Sequence, residues 1–355
     1  MTTAHPVRAG VPRPREPHRD LRVGAGEVLR ACRAVVDPAL RAAIDTLPAS
    51  VVPIAGYHMG WLEADGSPCA AGSGKAVRPA LVLAAAGAVG GRVDAALPGA
   101  VAVELVHNFS LLHDDVMDDD VTRRHRPTAW TVFGTGPAIL AGDALLALAM
   151  DVLAGSGHPA AEHAVRVLSA AVQDLVAGQL ADLEFERVAV VDVARCLEMA
   201  GGKTASLLGC SAALGALLAG AGREEVDLLD RAARDLGLAF QFVDDLLGIW
   251  GDPRVTGKAV GNDLRHRKKS LPVVAALTSG TPEGAELADL YARAEEPGAD
   301  EVRRAAGLVE RSGAADWCRE QVELLLAAAL RRIRALPGPV DDLVALAHLI
   351  ARRDH

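Results

Sequence analysis

Two stretches hold residues whose types and spacing suit chemistry. One is Asp114-Asp115-Val116-Met117-Asp118-Asp119-Asp120, followed by Arg123, Arg124 and Arg126, and the other is Asp244-Asp245, followed by Lys258, Asp263, Arg265, Arg267, Lys268 and Lys269. On a helix Asp114 and Asp118 stand one turn apart on a shared face, with Asp115 about 100° round from Asp114. Like charges at this spacing repel, so the cluster calls for a cation. Hard oxygen donors suit Mg²⁺, which takes one or two carboxylates and completes its shell with waters and phosphate oxygens. Arg123 and Arg124 can grip the same phosphates through the guanidinium fork. The pattern predicts a metal and diphosphate site. A solvated acidic helix end is the alternative, against which stand the apolar run before Asp114 and the second acidic pair downstream.

Helical spacing supplies the elements that must position these groups. It predicts helices over 27–47, 57–62, 79–89, 95–118, 135–154, 158–187, 192–219 and 223–250, with more over 270–351, and no alternating strand pattern of useful length. Lys75 and Arg78 lie on one face at the start of the helix from residue 79, where free backbone N–H groups also favour an anion. Lys203 and Thr204 interrupt an apolar helix, and a lysine there must meet an anion or reach solvent. The stretch from Thr204 to Gly222 carries no charge, but it holds Gly, Ser and Ala and lacks flanking aromatic anchors; it reads as a buried helix and not a membrane span. Residues 1–25, rich in Pro and Arg, read as a disordered tail, and 26–355 as one domain.

Half of the 355 residues are hydrophobic and only 3% aromatic, so Ala, Leu and Val dominate the core. That composition favours close-packed helices. Thirty-seven basic against 46 acidic residues give a net charge of −9 with no lysine block, which argues against a nucleic-acid partner. Five cysteines without paired spacing, and an N-terminus lacking a signal-peptide core, suggest a reducing cytoplasm.

Taken together, these residues resemble the trans-isoprenyl diphosphate synthases, the farnesyl and geranylgeranyl diphosphate synthase family, over about 27–350. Asp114-Asp115-Val116-Met117-Asp118 is similar to that family's first aspartate-rich motif and Asp244-Asp245 to the start of its second. The resemblance implies an all-α helical bundle around a deep apolar cavity, usually a homodimer. It implies three Mg²⁺ held by Asp114, Asp118 and Asp244, with Asp115 in the same motif. Lys75, Arg78, His107 and Arg124 would hold isopentenyl diphosphate, and Arg123, Lys203, Lys258 and Lys268 the allylic diphosphate. Thr204 and Gln241 would line the reacting centre, with Asp263 a further acid near the metals. The implied reaction condenses the two diphosphates into a longer all-trans prenyl diphosphate, without a protein nucleophile.

One departure stands out: the second motif of the family usually reads Asp-Asp-x-x-Asp, and here its last place is Gly248. It motivates one competing reading, an inactive partner subunit of another synthase. A class I terpene cyclase is the other, although such an enzyme binds a single diphosphate and would leave Lys75, Arg78 and His107 without a purpose. Phe109, five residues before Asp114 and about 7.5 Å deeper along the helix, is the expected cavity floor; a single aromatic there without a motif insertion resembles the geranylgeranyl synthases, giving C20, with C15 next. The tail resembles the Pro- and Arg-rich extensions by which some bacterial prenyltransferases dock into encapsulin shells.

Overall fold

Leu, Ala and Val at helical spacing, with Gly and Pro at the joints, give a chain of helices. The computed structural model describes residues 21–69, 74–188, 190–252, 260–293 and 295–352. In order they form α1 (Leu21–Ile44), α2 (Val52–His58), α3 (Val77–Ala88), a 3₁₀ turn (Val93–Ala96) and α4 (Leu97–Met117). A hairpin of β1 (Thr122–Arg123) and β2 (Arg126–Pro127) follows, then α5 (Ala129–Phe133), α6 (Thr135–Ala154), α7 (Ala161–Arg187) and α8 (Val193–Ala200). A π turn (Gly201–Ala205) leads into α9 (Ser206–Leu218) and α10 (Arg223–Trp250). The rest is α11 (Asn262–Arg265), α12 (Leu271–Leu277), α13 (Pro282–Tyr291), α14 (Ala299–Arg311), α15 (Ala314–Ile333) and α16 (Asp341–Ala351).

α9 is the centre of the bundle. The charge-free stretch is buried along nearly all of α9, which packs against α3, α4, α7 and α10. Long Ala- and Leu-rich helices can approach this closely because small side chains leave little between their backbones. A second, smaller core joins Ile249, Leu264, Val273, Leu287, Val302 and Leu308 beyond the end of α10. Two helical stretches are long and apolar enough to cross a membrane, Val93–Met117 and Thr135–Ala154, with 72% and 39% of their most apolar windows buried in the fold.

Three local departures from the expected elements bear on function. The first helix opens at Leu21, so the last residues of the span read as tail are helical; residues 1–20 lie outside the described residues. The run expected as one helix over 192–219 is broken by the π turn. Gly201 and Gly202 weaken the α-helical ladder there, and wide turns of this kind recur at functional sites. The hairpin was not expected, because Arg124 and His125 adopt positive φ of 51° and 62° where Asn-Gly would ordinarily stand.

The π turn is held by backbone contact with α7. A Cβ on Gly178 would lie 2.8 Å from both the Gly202 carbonyl carbon and Lys203 Cα, and closer still to the Lys203 nitrogen. Gly178→Ala is therefore expected to push α7 away from Lys203, destabilising the fold by about 1–3 kcal/mol and lowering activity more than stability alone explains; urea unfolding and turnover of the variant check both.

Candidate active site

α4, the π turn and α10 each present one face to a cavity of about 570 Å³. Its acidic residues are Glu104 and Asp114 from α4, Asp118 just past the end of that helix, Asp120, Asp182 from α7, and Asp244 and Asp245 from α10. Its cations are Lys75, Arg78, Arg123, Arg124, Lys203 and Lys268, and His107, Thr204 and Gln241 complete the polar lining. Leu111, Met199, Leu208 and Phe240 supply apolar wall. An adjoining cavity of about 810 Å³ shares Asp118, Asp120, Asp182 and Lys268 with the first and also holds Asp263.

Burial sets the electrostatics of the acidic wall. Burial, reinforced by Asp118 and opposed by the Lys203 ammonium, pushes the Asp114 carboxyl up to about 6, and burial likewise raises Asp118. Lys203 Nζ donates to Asp182 Oδ2 at 2.6 Å. Burial acts to raise Asp182, yet Lys203 and Lys268 outweigh it and hold that carboxyl below its ordinary range. Burial works against the charge on Lys268, but Asp245, Asp182, Asp263 and Asp244 together raise its pKa and keep it an ammonium. Carboxylates and ammoniums are thus interleaved in a poorly hydrated space, where each charge depends on its neighbours.

The hairpin builds the basic wall. Arg126 stacks over Tyr57 at 4.4 Å and donates to Leu62 O at 3.0 Å, while Tyr57 Oη donates to Pro127 O at 2.9 Å. With both ends of the turn pinned, the strained Arg124 is carried into the cavity beside Arg123. Glu104, 4% exposed and raised by burial, carries its carboxyl near Arg78 and Arg124, whose charges oppose that rise. Burial, with Arg78, Arg124 and Arg123 nearby, drives His107 well below its ordinary pKa, so the imidazole is neutral and acts as a hydrogen-bonding group.

Asp115 and Asp245, the second acids of each pair, are placed differently from the first. Asp115 is 1% exposed and accepts from Arg123 Nε at 2.6 Å, so it aims that guanidinium. Asp245 accepts from Gln241 Nε2 at 2.7 Å and from the Leu271 backbone N–H at 2.8 Å, while Thr204 Oγ1 donates to Gln241 Oε1 at 2.6 Å. This polar chain ties the π turn to α10 and α12. Burial, opposed by Lys268, lifts the Asp245 carboxyl to about 7.

Phe109 is not on the cavity wall. Its ring packs edge-on against His113 with centroids 4.8 Å apart, and the neighbouring Ser110 and Leu111 line the space instead. The reason is angular: five residues turn the helix about 140° away from the face of Asp114. Lys258 lies outside the described residues. Asp182, Glu104 and Arg126 were missed as contributors. Asp182 had a signal, since a lysine inside an apolar helix demands an anion, but only the fold shows which acid answers it.

Acids and cations facing one cavity inside an all-α bundle define the isoprenoid synthase architecture. A model of the polyprenyl synthetase family matches residues 61–309. The chain belongs to this family and is a prenyltransferase. It is 50% identical to the geranylgeranyl diphosphate synthase of Mycobacterium tuberculosis over 92% of this chain and 93% of that protein. It is 45% identical to a (2E,6E)-farnesyl diphosphate synthase of the same organism, with 92% of each chain covered. The crystal structure of a polyprenyl synthetase from Streptomyces coelicolor superposes with a TM-score of 0.88 at 44% identity, over 92% of this chain and 100% of that one.

The raised Asp114 carboxyl leads to a pH signature in the metal-free protein. A carboxyl raised in the fold makes the folded chain bind more protons than the unfolded one between about pH 4 and 6, so its charge weakens the fold above that window and not below it. Asp114→Asn should therefore stabilise the chelator-treated protein by on the order of 1–3 kcal/mol at pH 8, with the gain gone by pH 4. Urea unfolding of both proteins at the two pH values measures it; an equal gain at both would remove the charge explanation.

Proposed function

We propose that the chain condenses isopentenyl diphosphate with an allylic diphosphate, and that its main product is geranylgeranyl diphosphate, C20. The observation that carries this is the presence of two cation sets in one cavity: Lys75, Arg78, Arg123 and Arg124 at the hairpin end, and Lys203 and Lys268 among the carboxylates. Two anionic groups can be held at once, as a condensation needs and a single-substrate cyclase does not. The higher identity to the geranylgeranyl synthase supports the C20 assignment.

The donor set fits Mg²⁺. Asp114, Asp118 and Asp244 offer only carboxylate oxygens, the first two raised or held uneasily by burial. Among the described residues no three His, Cys, Asp or Glu side chains group around one point. That suits metals which take one or two carboxylates each and finish their shells with water and diphosphate oxygens. When bound, such a metal neutralises the diphosphate as it departs. Lys203 and Lys268 add fixed positive charge where the leaving group gathers negative charge. Arg123, aimed by Asp115, grips a phosphate in the same way. Neutral His107 donates a hydrogen bond to the second diphosphate beside Arg78. Leu208, Met199 and Phe240 exclude water from the allylic cation and accommodate the hydrocarbon.

A homodimer is also proposed. Ile139 and Leu140 on α6 and Val176 and Leu180 on α7 are exposed, with Leu140 at 65% and Leu180 at 63%, and a second copy would cover them. A reducing cytoplasmic setting fits the five free cysteines, four of them buried.

Incubating the protein with radiolabelled isopentenyl diphosphate, each allylic starter and Mg²⁺ should give mainly C20, with nothing formed in excess chelator. Asp114→Ala should lower kcat by about 10³-fold; near-normal kcat would sink the assignment of that residue. Phe109 packs against His113 and lies off the cavity wall, so Phe109→Ala lengthens the product only if the space it vacates joins the cavity. An unchanged chain length from that folded variant would place the limit on another residue.

A further inference from the structure

Lys268, whose charge Asp245, Asp182, Asp263 and Asp244 sustain, stands in the strap of residues 266–270 that joins α11 to α12. The residues on either side of it, Arg267 and Lys269, are cations as well. Both lie off the wall of the 570 Å³ cavity and border only the adjoining one.

Each of the two grips backbone carbonyls at the end of a different helix. Lys269 Nζ donates to Phe185 O at 2.6 Å, in the last turn of α7. The Arg267 guanidinium donates to Arg293 O and Glu295 O, just beyond α13. The last carbonyls of a helix lack partners within it, and an ammonium there also meets the negative end of the helix dipole. Arg267 adopts φ 50°, a left-handed backbone that a long side chain holds only under constraint, and its two carbonyl partners supply that constraint. The backbone between them is tied too, since Lys268 N–H donates to Asp263 O at 2.8 Å and Cys196 Sγ to Lys269 O at 3.5 Å.

We propose that Arg267 and Lys269 are positioning residues, a pair of clamps that fix the Lys268 ammonium toward the allylic diphosphate by tying its strap to the ends of α13 and α7. The proposal rests on the prenyl synthase reading of the cavity. A lysine is a point charge on a flexible stem, so where its backbone stands decides what it reaches. α7 also carries Asp182, one turn before Phe185. The Lys269 clamp therefore fixes Lys268 relative to the carboxylate it shares with Lys203.

Steady-state kinetics with each substrate varied in turn separates positioning from a general effect on the fold. Lys269→Met and Arg267→Met should each raise the KM for the allylic diphosphate about 10-fold, with the KM for isopentenyl diphosphate left at the wild-type value. Lys269→Arg, which can still donate to Phe185 O, should restore most of the loss. Arg267→Gly is the sharper variant, because glycine takes a left-handed backbone without strain. If residue 267 only makes the turn, glycine replaces it without loss; if it is a clamp, the allylic KM rises. Introduced into Lys268→Met, either methionine substitution should add little, since the group it positions is gone. Thermal unfolding confirms that each variant is folded, and Arg267→Gly decides alone if the methionine variants are not. Equal rises in both KM values, a wild-type allylic KM in Arg267→Gly, or an effect as large in Lys268→Met as in the wild-type background would each overturn the proposal. If the wild-type chain elongates an allylic diphosphate, such a result removes only the clamps. If it elongates none, the prenyl synthase reading falls and the clamps with it.

Discussion

The ion pair between Lys203 and Asp182 is the contact on which the site depends. Nζ and Oδ2 are 2.6 Å apart, with both side chains about four-fifths shielded from solvent. A lysine at this depth is tolerable only beside an anion, and its position is set by a π turn that exists because two glycines let α7 approach the backbone there. The same ammonium then opposes the burial of Asp114 and Asp118. Removing any one of these groups leaves a partner charged and uncompensated in a shielded space. The backbone approach of α7, the width of the π turn and the charge state of α4 are in this sense one constraint.

Much of the bundle was legible in the sequence because apolar spacing over long helices is a strong signal. α6 and α10 begin and end at the expected residues, where Gly134, Gly155, Gly222 and Gly251 mark the joints. Lys75, Arg78, His107, Asp114, Asp118, Lys203, Gln241, Asp244 and Lys268 all reach one cavity; the family resemblance brought them together, and for Asp114, Lys203 and Asp244 the apolar helices that carry them gave a signal of their own. The hairpin stayed hidden because its turn residues, Arg124 and His125, are poor formers of a positive-φ turn. Only distant anchoring by Tyr57 and Leu62 makes it stable, and these contacts join residues 70 and 64 positions apart. Phe109 was misplaced because depth along a helix is easier to read than direction around it. Asp182 carried too little local context to be singled out.

Strain and charge are distributed unequally between the two ends of the cavity. At the hairpin end, Arg123 and Arg124 are presented by a backbone held in the left-handed region, and burial lowers the pKa of Arg124 below its ordinary value. At the other end Asp114 and Asp118 are the raised groups. Before ligands arrive, the first end is short of anions and the second of cations. A diphosphate satisfies the first directly and the second only together with metal, so the two ends favour different forms of one chemical group. That difference gives a physical basis for ordering two substrates that carry the same headgroup.

Each acidic pair also divides its work in the same way. Asp114 and Asp244 face the cavity, while Asp115 and Asp245, about 100° further round their helices, are buried and hold something else in place, Asp245 at the cavity's edge. Asp115 aims Arg123, and Asp245 receives Gln241 and the first N–H of α12. The adjacent pair is thus a ligand and a clamp, made from one residue type because a carboxylate can do either when its surroundings decide. Burial raises both clamps, to about 6 and about 7, which means their hydrogen bonds are kept at a cost to stability. The return is positional: a guanidinium and a helix start are fixed relative to the very helices that carry the cavity-facing acids, so the two walls cannot drift independently.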